Sequence, residues 1–169
     1  MSHRSYLIAA AMAASLAATP AAAAGPAAQS APAKALLLLP LTLTKVDDLN
    51  FGTIVSSPVA GTVTINASTG VRTHAGGVTE IASAAGQRAL FAWAGTPSQQ
   101  VNFDIAYPAT LDNGAGDSVQ VALLYLQSDS MIADSSGVVQ VGVGGSILIS
   151  ANQAEGTYTN TFTVTANYP

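Results

Sequence analysis

From Leu36 onward the chain runs in short stretches of alternating apolar and polar residues, each closed by Gly, Pro, Asn or Ser. Alternation with a period of two marks a strand with one buried face. The last stretch is the clearest. Between residues 156 and 168, Tyr158, Phe162, Val164, Ala166 and Tyr168 fall on one face, and Thr157, Thr159, Thr161, Thr163 and Thr165 on the other. This predicts a closing strand from Gly156 to the penultimate residue. Val101, Phe103, Ile105 and Tyr107 alternate in the same way, as do Val119, Val121, Leu123 and Tyr125, which predicts two strands with opposing core faces. The runs GTVTINA, RALFAWAG, GVVQVGV and SILIS add further strands, and TPSQ, DNGAGD, SDSMIADSSG and NQAEG carry the residues that reverse a chain.

The beginning of this region has two readings. Leu37, Leu39, Leu41 and Leu43 share one face, and Pro40 on the other face cannot donate to a sheet ladder, which favours an edge strand. Residues 36–45 are therefore either the first strand of the domain or an extension offered to another one. Ahead of them, residues 25–35 mix Gly, Pro, Ala, Ser and Gln without a period and read as a flexible lead. Gly142, Gly144 and Gly145, in VGVGGSILIS, read as a bulge or tight turn between strands, or as a place where another backbone comes close. No helical period appears after residue 24. The fold class that follows is all-β, an antiparallel sandwich.

Arg4, an apolar stretch to Ala18 and the small residues Ala22, Ala23 and Ala24 have the form of a secretory signal peptide, with cleavage predicted after Ala24. The stretch is shorter than the roughly 20 residues of a membrane-spanning helix. No membrane insertion is expected after cleavage, and the protein is expected in the periplasm, at the cell surface or outside the cell. The chain has no Cys, so neither a disulfide nor a lipid attached to Cys can hold it. Its core must suffice. The domain organisation predicted is a signal peptide over 1–24, a lead over 25–35 and one sandwich domain over 36–169.

Without Arg4, the basic residues are Lys34, Lys45, Arg72 and Arg88 against nine acids, a net charge of −5. Such a chain has no basic stripe with which to neutralise phosphates, so no nucleic-acid partner is expected.

Candidate chemistry is sparse. His74 is the sole histidine after the leader, and no GxSxG elbow accompanies it, so it reads as a loop histidine. Residues 112–117, DNGAGD, offer oxygen ligands but lack the spacing of a calcium loop and read as a hairpin turn. Trp93 reads as a core residue, because there is no aromatic ladder beside it to bind sugar. The expectation is a protein that is not an enzyme and uses no cofactor or metal.

Three patterns carry a resemblance: Leu49-Asn50-Phe51-Gly52, Val143-Gly144-Gly145-Ser146-Ile147-Leu148, and Gly156-Thr157-Tyr158 running to Tyr168. In this order and spacing the chain resembles the secreted bacterial family known as domain of unknown function 4402. That family is similar to spore-coat-U-like domains and to chaperone-usher pilins, which are immunoglobulin-like sandwiches. The resemblance implies a structural subunit of a bacterial surface fibre or coat, assembling by strand addition. Like subunits and a periplasmic chaperone would be its partners. Gly156, Tyr158, Phe162, Val164 and Tyr168 would then border a groove, and residues 33–43, with Leu37, Leu39, Leu41 and Leu43, would be the strand that fills it. Burial of four leucines at about 1.5–3 kcal/mol each amounts to on the order of 6–12 kcal/mol before ordering costs. The Cys pair common in such pilins is absent here. The alternative reading is a monomeric secreted module that binds a glycan or a protein through its loops.

Overall fold

Val, Ile, Thr and aromatic side chains fit a pleated, half-buried surface, and the runs rich in them become the strands of the protein. The computed structural model describes residues 25–169, so the predicted leader over 1–24 lies outside the described residues. The chain divides after Ala35, and every strand among the described residues belongs to the unit from Leu36 to Pro169. In chain order these are β1 (Thr42–Asp47), β2 (Ile54–Val55), β3 (Gly61–Ile65), β4 (Arg72–Gly76), β5 (Thr79–Glu80), β6 (Ala89–Ala94), β7 (Gln100–Ala106), β8 (Thr110–Asp112), β9 (Ser118–Leu126), β10 (Ser130–Ile132), β11 (Val138–Ile149) and β12 (Thr163–Asn167). Among the described residues one 3₁₀ turn, Ala82–Ala84, interrupts them.

All pairings are antiparallel. The larger sheet runs β1-β6-β11-β3-β4, with β9 alongside β11 and β8 alongside β9. The smaller sheet is β10-β7-β12, and β2 with β5 forms a two-stranded ribbon. The all-β sandwich expected from the alternation is therefore present. Its core has two centres. One gathers Val63, Ile65, Val119, Val121, Ile147 and Ile149, and the other surrounds Trp93 with Val101, Phe103, Val141, Val143 and Val164. Trp93 is 1% exposed and meets Phe103 edge-on, with ring centroids 5.7 Å apart.

Four details differ from the sequence pattern. First, GVVQVGV and SILIS are one continuous strand, β11, because its glycines allow close approach and make no turn. A Cβ on Gly144 would fall onto the Ile65 carbonyl oxygen and the Ala67 backbone, and one on Gly145 onto the Leu124 side chain. Second, Ser146 pairs with Leu123 but Ile147 pairs with Val121, leaving Ala122 as the extra residue of a bulge. The phase of β9 flips there, so Leu123 faces outward while Leu124 and Leu126 are buried.

Third, the closing stretch keeps its two faces but not its continuity. Thr159 exchanges backbone hydrogen bonds with Asp112 at the margin of the larger sheet, and only from Thr163 does the chain pair with β7 in the smaller one. Fourth, His74 sits on β4 and is not in a loop.

Gly144→Ala is expected to destabilise the domain by about 1–3 kcal/mol through overpacking. Urea unfolding monitored by Trp93 fluorescence would read this as a lower midpoint; an unchanged midpoint would show that β11 tolerates a side chain at this crossing.

Candidate functional site: an apolar cleft beside the closing strand

The crossing of residues 157–162 from one sheet to the other leaves part of the larger sheet's inner face without a strand above it. A cleft of about 930 Å³ lies there. Its floor is made by Val119, Val121 and Leu124 of β9 and Ile147 and Ile149 of β11, with Leu111 of β8 beside them. Residues 48–56 form one wall and residues 153–162 the other. The size is that of an ordinary ligand pocket. Its lining is mostly apolar, and the charged side chains in it, Asp48 and Glu155, are both acidic.

The first wall contains the Leu49-Asn50-Phe51-Gly52 pattern, and its letters have local causes. Asn50 bridges to Gln87 through backbone hydrogen bonds in both directions, while its side-chain Oδ1 accepts the Gly52 N–H at 2.7 Å. Gly52 has φ +77°, and a Cβ there would collide with the Arg72 guanidinium, so glycine alone fits. Arg72 reaches under this wall from β4. Its Nη1 donates to the carbonyls of Phe51 and Ala84 at 3.0 and 3.2 Å, and its Nη2 to that of Ile81 at 3.1 Å.

Glu80 Oε2 lies 3.2 Å from Arg72 Nε, and Glu80 Oε1 lies 2.9 Å from His74 Nδ1. The His74 side chain first, and the Arg72 charge with it, hold the Glu80 carboxyl below its ordinary value against an opposing desolvation. The sequence had offered no reason to join Arg72, His74 and Glu80; only the β3–β4 hairpin and the β2–β5 ribbon bring them together.

The second wall is tied by polar side chains. Gln153 Nε2 donates to the Tyr158 hydroxyl at 3.0 Å, and that hydroxyl donates to the Ala154 carbonyl at 2.7 Å. Asn160 Nδ2 donates to the Thr110 carbonyl at 2.9 Å. Gly156 rests against the Asn113 side chain, to which a Cβ would approach within 3.3 Å. Beyond this wall, β12 pairs with β7 on one side, and no strand among the described residues pairs with its other edge.

The residues singled out from the sequence are split by the fold. Gly156, Tyr158 and Phe162 line the cleft. Val164 is instead buried in the centre around Trp93, and Tyr168 packs against that centre at the far end of β12. The Tyr168 hydroxyl accepts the Thr96 N–H at 2.8 Å and donates to the Leu39 carbonyl at 2.9 Å, and the Leu39 N–H donates to Thr96 Oγ1 at 2.7 Å.

The four leucines also separate. Leu41 and Leu43 pack on the domain's own core as β1 pairs with β6, whereas Leu37 and Leu39 are 86% and 59% exposed. As one four-tooth face for a neighbour, the pattern is therefore corrected. Its second half is occupied at home, because β1 forms the edge of the larger sheet.

The remaining candidates hold no assembled chemistry. Residues 112–117 form the expected hairpin turn, with Asn113 Oδ1 accepting the Ala115 and Asp117 N–H groups. Among the described residues no group of three His, Cys, Asp or Glu side chains is placed to hold a metal ion, and no helix is long and apolar enough to cross a membrane.

Fold and cleft together define an antiparallel β-sandwich domain with an open apolar flank and an exposed leucine run at its N-terminal side. A family model described as a domain of unknown function, DUF4402, matches residues 41–168, and the chain belongs to that family. Comparison with curated proteins and with solved structures gave no match.

Two outcomes follow from this geometry. Tyr168→Phe leaves the Thr96 N–H and the Leu39 carbonyl without their shared partner, and is expected to cost about 1–2 kcal/mol in chemical denaturation. A loss near zero would mean that water replaces the hydroxyl. For Glu80, a carboxyl whose value is lowered in the fold contributes stability above its unfolded value of about 4.5, and this is lost as pH falls through the folded value. Below pH 4.5 the wild-type protein should therefore lose stability more steeply than Glu80→Gln; parallel pH curves would remove the carboxylate from the wall.

Proposed function

We propose that the protein is an exported structural subunit of a surface fibre or coat, and that it assembles by receiving a strand from a like subunit in the cleft beside β12. The observation that carries this reading is an apolar cleft bordered by residues 153–162, which lead into β12, a strand whose second edge pairs with no described strand, together with Leu36 and Leu37, which their own domain leaves uncovered. Addition of an extended segment to such an edge uses main-chain hydrogen bonds for affinity and side-chain pockets for selection.

The donor is shorter than the sequence pattern alone implies. Leu41 and Leu43 are engaged in their own domain, and the Leu39 N–H and carbonyl are bound to Thr96 and Tyr168, so the segment offered is residues 33–38. Its exposed Leu36 and Leu37, at about 1.5–3 kcal/mol each on full burial, amount to on the order of 3–6 kcal/mol before the costs of ordering. The charges also suit one another. Lys34 is the sole charged side chain between residues 25 and 39, and of the cleft's two acids Asp48 already pairs with Lys45, so Glu155 is the one that Lys34 complements. A chaperone that covers the same cleft before assembly fits this scheme, as does export ahead of it.

Size-exclusion chromatography of the mature protein, with and without residues 25–39, tests the reading. Concentration-dependent oligomers that vanish on truncation are expected. A monomer in both cases would instead favour a binding module that uses the cleft for a glycan or a foreign protein.

A further inference from the structure

Arg72 is the best-connected side chain among the described residues, and its partners are not scattered. The side chain is 5% exposed, and its guanidinium collects the carbonyls of Phe51, Ile81 and Ala84, with that of Thr53 at 3.5 Å. Phe51, Thr53 and Ala84 line the cleft. The segments they come from have little else to fix them. β2 is two residues long, its partner β5 is two residues long, and the 3₁₀ turn at Ala82–Ala84 has no side-chain cap. Two backbone hydrogen bonds, Thr53 N–H to Ala84 and Ile81 N–H to Thr53, join the same segments.

A guanidinium spreads five N–H donors over a rigid plane, whereas an ammonium concentrates three at a point. Three or four carbonyls facing one centre from two loops match the first shape and not the second. Glu80 supplies the opposite charge that a nearly buried cation requires, so the grip is electrically closed.

We propose that Arg72 is the positioning residue of the cleft, fixing the 51–54 wall at the spacing a docked strand needs, so that affinity for an apolar strand depends on its guanidinium. This rests on the reading of the cleft as a strand acceptor, and it extends that reading from the residues a strand would touch to one it would not. It also gives the Phe51-Gly52 pair a task. Phe51 presents its ring to the cleft while its carbonyl is held from behind, and Gly52 leaves room for the holder.

The test compares the mature wild-type chain, held below the concentration at which it oligomerises so that its cleft is vacant, with Arg72→Lys and Gly52→Ala, using a fluorescein-labelled synthetic peptide of residues 30–40 as the probe. Hydrogen exchange is followed in the same samples. Arg72→Lys keeps the charge beside Glu80 but cannot span the carbonyls. It is expected to weaken peptide binding about tenfold or more. Exchange should quicken at residues 51–54 and 81–85 while Val63 and Val141 stay protected. Gly52→Ala, whose Cβ would meet the guanidinium and also the Ala84 carbonyl and Gly86 N–H, should give the same pair of changes.

Equal peptide affinity in wild type and Arg72→Lys would overturn the proposal. So would faster exchange spread evenly over the domain, since that is the mark of a residue that merely stabilises the fold. If the wild-type chain binds no peptide, the strand-acceptor reading fails. The exchange data then decide separately: local acceleration retains Arg72 as the holder of the wall, and unchanged exchange removes it from that role.

Discussion

The pairing of β11 with three other strands is the constraint on which the domain depends. Its first half pairs with β6, its second half with β3, and residues 143–148 run beside β9. Without disulfides, cohesion has to come from such shared ladders and from the side chains they align. Val141, Val143, Ile147 and Ile149 all point inward from this one strand and serve both core centres. Glycine at 142, 144 and 145 is the condition for it, because the chain around Ile65 and Ala67 passes too close for a side chain at the first two, and Leu123 and Leu124 of β9 at the third.

The cleft is a consequence of unequal sheets. The larger sheet has an inner face wide enough for two core centres, but the smaller one has three strands and covers mainly the centre around Trp93. Over the other centre lie only irregular walls, one held by Arg72 and the other by Gln153, Tyr158 and Asn160. Polar side chains aimed at backbone carbonyls replace a missing ladder there. Such a roof is more easily opened than a sheet, and among the described residues no strand pairs with the second edge of β12.

Much of the fold was legible in the sequence, and the failures have specific causes. Period-two alternation located β3, β6, β7, β9 and β12, and the faces assigned to Tyr158, Phe162, Val164, Ala166 and Tyr168 are the half-buried or buried ones in the structure. It missed the phase flip at Ala122, because a bulge adds a residue without changing composition. It also split β11 at glycines whose reason lies in the passing chain near Ile65, far away in sequence. The candidate cleft was half visible. Gly156, Tyr158 and Phe162 could be named through the family resemblance their pattern carries, but Arg72 could not, since its partners are mainly backbone atoms and backbone atoms leave no signature in a sequence.

Tyr168 links three places that are remote along the chain. It follows β12 of the smaller sheet, Thr96 follows β6 of the larger one, and Leu39 is where the leucine run meets the domain. A pull on the N-terminal side would otherwise act on Thr42 and Ala94, the outermost pair of the β1–β6 ladder, and open it one rung at a time. With the knot at Leu39, tension is divided between both layers of the sandwich before it reaches that rung. The domain would meet such a pull at three hydrogen bonds together, spread over two sheets, before any rung of the β1–β6 ladder gave way.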